Sequence, residues 1–201
     1  MKNNDLFAHK SKTWDRNSKR VKNAQAISEL IVKNIRLNKS MHIMDLGAGT
    51  GLLSYLIAPF VEKIVAVDSS PSMLKEFESK CGEFACKTAV KCVDIVKYDA
   101  EEVYDGVISS MTIHHIEDTP ALLKKLYHLV KEEGFIALAD LDIEDGSFHN
   151  DNNGVFHYGF DRHKLADYAV EAGFHDVTFS IAGTIKKPHR DFSVFLMTAK
   201  K

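Results

Sequence analysis

The chain predicts an α/β fold, a mostly parallel sheet covered by helices on both faces, and three observations carry this reading. First, the apolar lead Met41-His42-Ile43-Met44 runs into Asp45-Leu46 and then a turn with Gly47, Gly49 and Gly51 on alternate positions. That is the pattern of a buried strand turning sharply into a helix. Second, strand-like and helix-like segments alternate along the rest of the chain, which argues for a sheet layered on both sides. Third, the last two strand candidates, His175 to Ile181 and Phe192 to Ala199, leave too little chain between them for a helical crossover, so they pair antiparallel.

The elements follow in order. An N-terminal helix is expected over Asn23 to Leu37, with Ala24, Ile27, Leu30, Ile31 and Ile35 turned inward. The first strand and its glycine turn lead into a helix beginning at Leu52. Glu62 to Asp68 forms the second strand. Ser70-Pro71 starts a helix over Ser72 to Lys80 that Gly82 closes. Ala89 to Val93 and Tyr104 to Ser109 form the third and fourth strands. Thr119-Pro120 opens a helix over Ala121 to Lys131, with Gly134 after it, and Asp161 starts another, ended by Gly173. About twenty residues, 141–160, show no clear periodicity. They follow a strand on the side where open sheets bind ligands, and loops of this length are commonly functional.

Composition sets bounds. With 201 residues, 45% of them hydrophobic, one domain with a substantial core is expected. No stretch is apolar enough to span a membrane, and the N-terminus is polar and charged rather than signal-like. Cys81, Cys86 and Cys92 form no Cys-x-x-Cys pair, which suits a reducing cytoplasm. Residues 1–40 carry ten Lys/Arg against three Asp/Glu, a local balance of +7 that leaves about −9 for the rest. Because these basic residues are scattered between apolar ones, a solvated helix face explains them better than a nucleic-acid arm.

The glycine turn is a ligand platform, and Asp68, 21 positions after Gly47, stands where nucleotide-binding units place an acid for ribose hydroxyls. Asp94 ends the third strand in the same crevice. Two cofactors suit a ribose acid behind a glycine loop: a nicotinamide dinucleotide and S-adenosylmethionine. The dinucleotide spacing Gly-x-Gly-x-x-Gly is not met, since Leu52 is the sixth position from Gly47 and Ser54 the sixth from Gly49. Asp45 would repel a phosphate and suits an ammonium group. The loop therefore favours a zwitterion over a pyrophosphate.

Asp45-Leu-Gly-Ala-Gly-Thr-Gly51, Val67-Asp68-Ser-Ser-Pro-Ser-Met-Leu74, Asp94-Ile95 and Asp105-Gly-Val-Ile-Ser-Ser-Met-Thr-Ile-His-His-Ile116, in this order, resemble the successive motifs of class I S-adenosylmethionine-dependent methyltransferases. The resemblance is to the small-molecule branch with the quinone-biosynthesis and glycine N-methyltransferases, and it runs from about residue 40 to the C-terminus. It implies a Rossmann-like, doubly wound, seven-stranded, mostly parallel sheet with an antiparallel last strand. It also implies that residues 1–38 form a helical lid over the cofactor, with Phe7 and Trp14 as apolar anchors. Gly47, Ala48, Gly49 and Gly51 would then face the methionyl end, with Asp45 near its ammonium group. Asp68 would take the ribose hydroxyls, Ser69 and Met73 would flank the adenine, and Asp94 and Ile95 would meet its amino group and ring. Ser110 and Met111 would line the methyl-donor side.

For the acceptor, His115 is a candidate base beside a role of holding the loop, while His114 is expected to be structural. The 141–160 segment offers His149, Phe156, His157, Tyr158 and Phe160 as pocket residues, with His157 as a second candidate base. Asp140, Asp142 and Asp145 show no fixed metal-ligand spacing, and no metal is expected. Base methylation is disfavoured, because Ser109-Ser110-Met111-Thr112 lacks the Pro-Pro-aromatic of amino-methylating enzymes and no proline precedes a cysteine. A small-molecule acceptor is the reading that remains. The alternatives are a nicotinamide-dependent oxidoreductase and a non-catalytic S-adenosylmethionine-binding protein. Oligomeric state is not legible in the sequence.

Overall fold

The structure, a computed structural model, describes residues 5, 7–99 and 102–201. Its seven strands are β1 (His42–Leu46), β2 (Lys63–Asp68), β3 (Lys87–Cys92), β4 (Tyr104–Ser110), β5 (Val130–Leu141), β6 (His175–Lys186) and β7 (Asp191–Lys200). They lie in one sheet in the order β3-β2-β1-β4-β5-β7-β6. All neighbours are parallel except where β7 inserts antiparallel between β5 and β6, so the expected reversed ending is present. The strand order changes direction at β1 and β4, and a crevice opens there beyond their carboxyl ends.

Helices α1 (Ser18–Asn34), α2 (Leu52–Ile57), α3 (Pro71–Ser79), α4 (Thr119–Leu129) and α5 (Arg162–Ala172) cover the two faces. The period-2 alternation of the strands sorts them. Ile43, Ile64, Ala66 and Ile108 pack with Ile27 and Ile31 of α1, Leu53 and Ile57 of α2 and Phe77 of α3. Met44, Val65, Val67 and Val107 point the other way, onto Leu122 and Leu126 of α4 and Leu165 and Ala169 of α5. Each central strand is apolar on both faces because both are covered.

Several boundaries differ from the sequence expectation. Helix α1 starts at Ser18 because Asn17 caps it, accepting from the amides of Lys19 and Arg20. Asp118, not Thr119, caps α4 by accepting from Ala121 at 2.9 Å. That helix stops at Leu129, and β5 begins at Val130. The run Glu132-Glu133-Gly134 is thus an irregularity within the strand, with Glu133 at φ 62° and a register shift against β4. Helix α3 ends at Ser79, so Gly82 lies in a following 3-10 turn, Cys81–Glu83. Gly173 closes α5 in the left-handed conformation, as expected. Strand β3 covers Lys87–Cys92, two residues earlier at its start than expected. No helix among the described residues is long and apolar enough to cross a membrane.

Candidate functional site

The glycine turn folds against its neighbours through backbone contacts that side chains would block. Gly47, Gly49 and Gly51 all have positive φ. A Cβ on Gly47 would stand 2.2 Å from Thr112 Oγ1, and one on Gly51 would stand 2.6 Å from Phe77. Gly49 differs, because nothing crowds its Cβ position more closely than 4.0 Å, and its surface is open to a ligand. Gly47 N and Ala48 N donate to Val67 O, which fixes the turn to the end of β2.

Asp45 ends inside this turn, 1% exposed. One of its oxygens accepts from Ser54 Oγ at 2.6 Å. Burial pushes its carboxyl up to about 7 against the Ser54 hydrogen bond, and the neighbouring Asp68 adds to the rise. A small cavity of about 80 Å³ is lined by Asp45, Gly47, Ala48, Ser110, Met111 and the side of α1 carrying Arg20. The Arg20 guanidinium lies 3.6 Å from the Trp14 ring centroid, and burial lowers its pKa. A buried carboxyl and a half-buried guanidinium on one cavity suit the ammonium and carboxylate of an amino-acid group. Arg20 carried no sequence signal, because nothing distinguishes it from the other basic residues of α1.

Asp68 binds the turn from the second strand. Its oxygens accept from Gly49 N and Ser70 N, both at 2.8 Å, which leaves further lone pairs for a ligand. Burial raises its pKa, the amides of Ser70 and Gly49 oppose the rise, and Asp5 adds to it. Ser69 is exposed, and Met73 and Ile95 are buried. Asp94 is exposed and caps the turn Ile95–Lys97 by accepting from Val96 N at 3.0 Å. Of the residues expected at the cofactor, Ser69, Met73, Asp94 and Ile95 do not line the small cavity, whereas Asp45, Gly47, Ala48, Ser110 and Met111 line it at the carboxyl ends of β1 and β4, and Asp68 reaches the turn through Gly49 N. They fit S-adenosylmethionine at its methionyl end, by the donor set of Asp45 and Arg20 and the open face of Gly49.

The N-terminal segment spans this crevice. Asp5 accepts from Ser70 Oγ at 2.7 Å and Ser72 N at 3.0 Å. Asp15 holds Thr50 at 2.5 Å and pairs with Lys80. The Phe7 ring meets both Trp14 and His115 edge-on, at 5.9 and 5.6 Å between centroids. Residues 1–4 and 6 of the expected lid lie outside the described residues.

On the far side of β4, Met111 adopts φ 57° and a 3-10 turn, Ile113–His115, follows. Segment 142–160 closes onto it. Phe156 N and His157 N donate to His114 O, and His115 Nδ1 donates to Gly154 O at 2.6 Å. His115 keeps Nε2 free in this arrangement, and burial together with the neighbouring His114 lowers its pKa. His157 stands apart from the glycine turn. Its Nε2 lies 2.9 Å from Ile116 O and 3.1 Å from Glu117 O, so it donates there and holds the loop. It also lines a larger concavity of about 690 Å³ between the starts of α4 and α5, which does not include the glycine turn.

The structure also brings together groups that the sequence reading treated as structural or solvated. His114 is buried, and its Nδ1 lies 2.7 Å from Asp140 Oδ1. Burial opposes its charge, but Asp140 and then Glu144 outweigh that, and its pKa is raised. His149 packs 5.0 Å from the His114 ring, and burial drives its pKa down to about 4. Asp142 forks onto Arg162 at 2.6 and 2.7 Å, and Asp145 pairs with Arg190. Among the described residues no group of three or more His, Cys, Asp or Glu could hold a metal ion.

Comparison with known proteins agrees with this fold. Residues 43–134 match the family described as Methyltransferase domain. An uncharacterized methyltransferase of Schizosaccharomyces pombe is 30% identical over 144 residues, 64% of this chain and 51% of that protein. A malonyl-[acyl-carrier protein] O-methyltransferase of Bacillus anthracis is 26% identical, over 57% of this chain and 43% of that one. The chain thus spans about half the length of the curated relatives it matches. Among solved structures, phosphoethanolamine N-methyltransferase 2 of Haemonchus contortus in complex with S-adenosyl-L-methionine superposes with a TM-score of 0.67 at 18% identity, covering 87% of this chain and 52% of that one. The N-methyltransferase NodS of Bradyrhizobium japonicum with S-adenosyl-L-homocysteine gives 0.71 at 11%, covering 93% and 89%.

Proposed function

We propose that this chain is a class I, S-adenosylmethionine-dependent methyltransferase that transfers a methyl group from S-adenosylmethionine to a small molecule, a reading supported by its match to a methyltransferase domain over residues 43–134. The observation that carries the reading is the pairing of Asp45 and Arg20 on one cavity beside the open Gly49. This site is built for a zwitterion rather than a pyrophosphate. When bound, the cofactor supplies a methyl group already activated by its sulfonium.

The chain's own task is to bind, align and keep water out. Asp45 and Arg20 take the two charges of the methionyl end, with Gly47, Ala48 and Gly51 shaping the backbone around it. Asp68 takes the ribose hydroxyls, with Ser69 and Met73 on one side of the adenine and Asp94 and Ile95 on the other. Ser110 and Met111 set the floor between donor and acceptor. The N-terminal segment 1–38 serves as lid, and 141–160 as the acceptor-side wall. His115, with its free Nε2, faces the acceptor, whereas His157 holds that wall in place. The free cysteines Cys81, Cys86 and Cys92 support a reducing, cytoplasmic setting.

Calorimetric titration of the purified chain with S-adenosylhomocysteine, with NADH as parallel ligand, tests the proposal. Saturable micromolar binding of the first alone is expected. Binding of NADH alone would overturn it.

A further inference from the structure

The larger concavity, about 690 Å³ between the starts of α4 and α5, shares no lining residue with the cavity at the glycine turn. Its volume is that of a small-molecule pocket. Phe160 and Leu165, 8% and 1% exposed, belong to the core and give it an apolar base, and Tyr168 adds a half-buried ring. Ile143 lines it as well and is 66% exposed, an aliphatic side chain that the rest of the fold leaves uncovered. The frame is fixed by the backbone. Ile143 N donates to Phe160 O at 3.1 Å and Phe160 N to Leu141 O at 2.9 Å. A Cβ on Gly159 would stand 2.1 Å from Asp142 O, so the segment closes tightly onto the end of β5. His157 is held by its bond to Ile116 O, with its ring 5.2 Å from that of Phe160. In the neutral imidazole that bond leaves the lone pair on Nδ1.

The charges on this concavity are mainly of one sign. Glu117, Asp118 and Asp161 line it, all exposed, against the single ammonium group of Lys164. The two aspartates cap helices, but each cap uses one oxygen. Asp118 Oδ1 accepts from Ala121 N, and Asp161 Oδ1 accepts from His163 N and Lys164 N. The second oxygen of each takes no part in capping. The amides of Lys164 and His163 hold Asp161 below the ordinary carboxylate range, so it is ionised at neutral pH. Among the described residues none of the three carboxylates has a salt-bridge partner, and the neighbouring Arg162 is taken by Asp142.

An apolar base bordered by ring faces and uncommitted carboxylates is the complement of an organic cation with an apolar body. The carboxylates attract and accept from an ammonium group, and ring faces add to that attraction. An anion would meet three carboxylates, and a neutral ligand would desolvate them without compensation. We propose that this concavity is a second ligand site, separate from the cofactor crevice, that takes a small arylalkylamine-type cation. The ligand bridges the turn after β4, through Glu117 and Asp118, to α5, through Asp161 and Tyr168. The inference does not depend on methyl transfer.

The test titrates the whole ¹⁵N-labelled chain with phenethylamine, and with phenylacetate and 2-phenylethanol as anionic and neutral counterparts of similar size. Amide signals of residues 117–121 and 157–168 should shift and saturate with millimolar phenethylamine, while Gly47, Gly49 and Gly51 stay unmoved. Phenylacetate and 2-phenylethanol should bind at least about tenfold more weakly. The triple variant Glu117→Gln, Asp118→Asn, Asp161→Asn removes the charges but keeps both caps, because asparagine caps as well as aspartate. It should lose about tenfold or more in phenethylamine affinity. On the parent, raising NaCl from about 20 to about 500 mM should weaken binding several-fold, a readout that needs no variant. Saturating S-adenosylhomocysteine should leave phenethylamine affinity unchanged. Equal affinity for the three probes, an undiminished affinity in the folded triple variant, or no salt dependence would overturn the cation assignment. Absence of saturable shifts, or shifts at the glycine turn that S-adenosylhomocysteine suppresses, would overturn the site itself.

Discussion

Replacing Asp45 by Asn should make the ligand-free protein more stable at alkaline pH while weakening cofactor binding. Asp45 is 1% exposed, and its carboxyl is pushed from the ordinary 3.8 up to about 7. The folded state therefore binds the proton more tightly than the unfolded chain. Between about pH 4 and 7 the folded state holds more protons, so stability falls as pH rises through that window and stays low above it. The rise corresponds to about 4 kcal/mol. An amide in the same place carries no charge but must still accept from Ser54, so the net gain above pH 7 should be about 1–3 kcal/mol. Urea unfolding of parent and Asp45→Asn at pH 5.5 and 8.5 measures it, and the gap should be larger at 8.5. An equal gap at both pH values, or a more stable parent at 8.5, would refute the reasoning. The ligand's ammonium group favours the ionised carboxylate, so parent affinity for S-adenosylhomocysteine should weaken on acidification below pH 7. Asp45→Asn should lose that dependence together with affinity.

Three further outcomes are expected. Asp68→Ala should cost about 1–3 kcal/mol of S-adenosylhomocysteine affinity through lost charge-assisted hydrogen bonds, and calorimetry showing no change in a folded variant would remove Asp68 from the site. Arg20→Ala should weaken the same ligand by about 1–2 kcal/mol, with Arg20→Lys recovering part of it; equal affinities would mean that the guanidinium only packs on Trp14. Gly47→Ala should lose about 2–4 kcal/mol of stability, since its Cβ meets the Thr112 side chain in a left-handed backbone. In thermal melts the second change Thr112→Gly should restore part of the loss.

The fold was legible because its signals are local. Apolar runs, glycine turns and caps such as Ser70 with Pro71 depend on near neighbours in sequence, and the short link between the last two strands leaves one simple pairing. That Asp45 and Asp68 lie beside the glycine turn was legible for a related reason, since acids at the ends of successive parallel strands share an edge of the sheet. What escaped was everything set by packing across distance. His114 and His115 are adjacent in sequence, and only their partners, Asp140 and Gly154, tell their surroundings apart. Arg20 reaches the cavity because α1 crosses that edge, which no spacing within the helix announces. The start of α1 was missed because Asn17 as a cap competes with the later apolar periodicity. Asp140 was the exception that could have been found, being a further acid at a strand's carboxyl end.

The N-terminal strap is tied lightly to the rest of the molecule. Asp5 on α3, Phe7 against His115 and Asp15 on Thr50 and Lys80 tie it across the crevice at a handful of half-buried points, and among the described residues the hydrophobic clusters begin only at Ile27. Such a segment opens locally at far lower free energy than the sheet beneath it. If this strap serves as the proposed lid, ligand exchange is expected to follow its local peeling rather than any movement of the strands. Amide hydrogen exchange should record this as weak protection of that stretch, deepening when the crevice is filled.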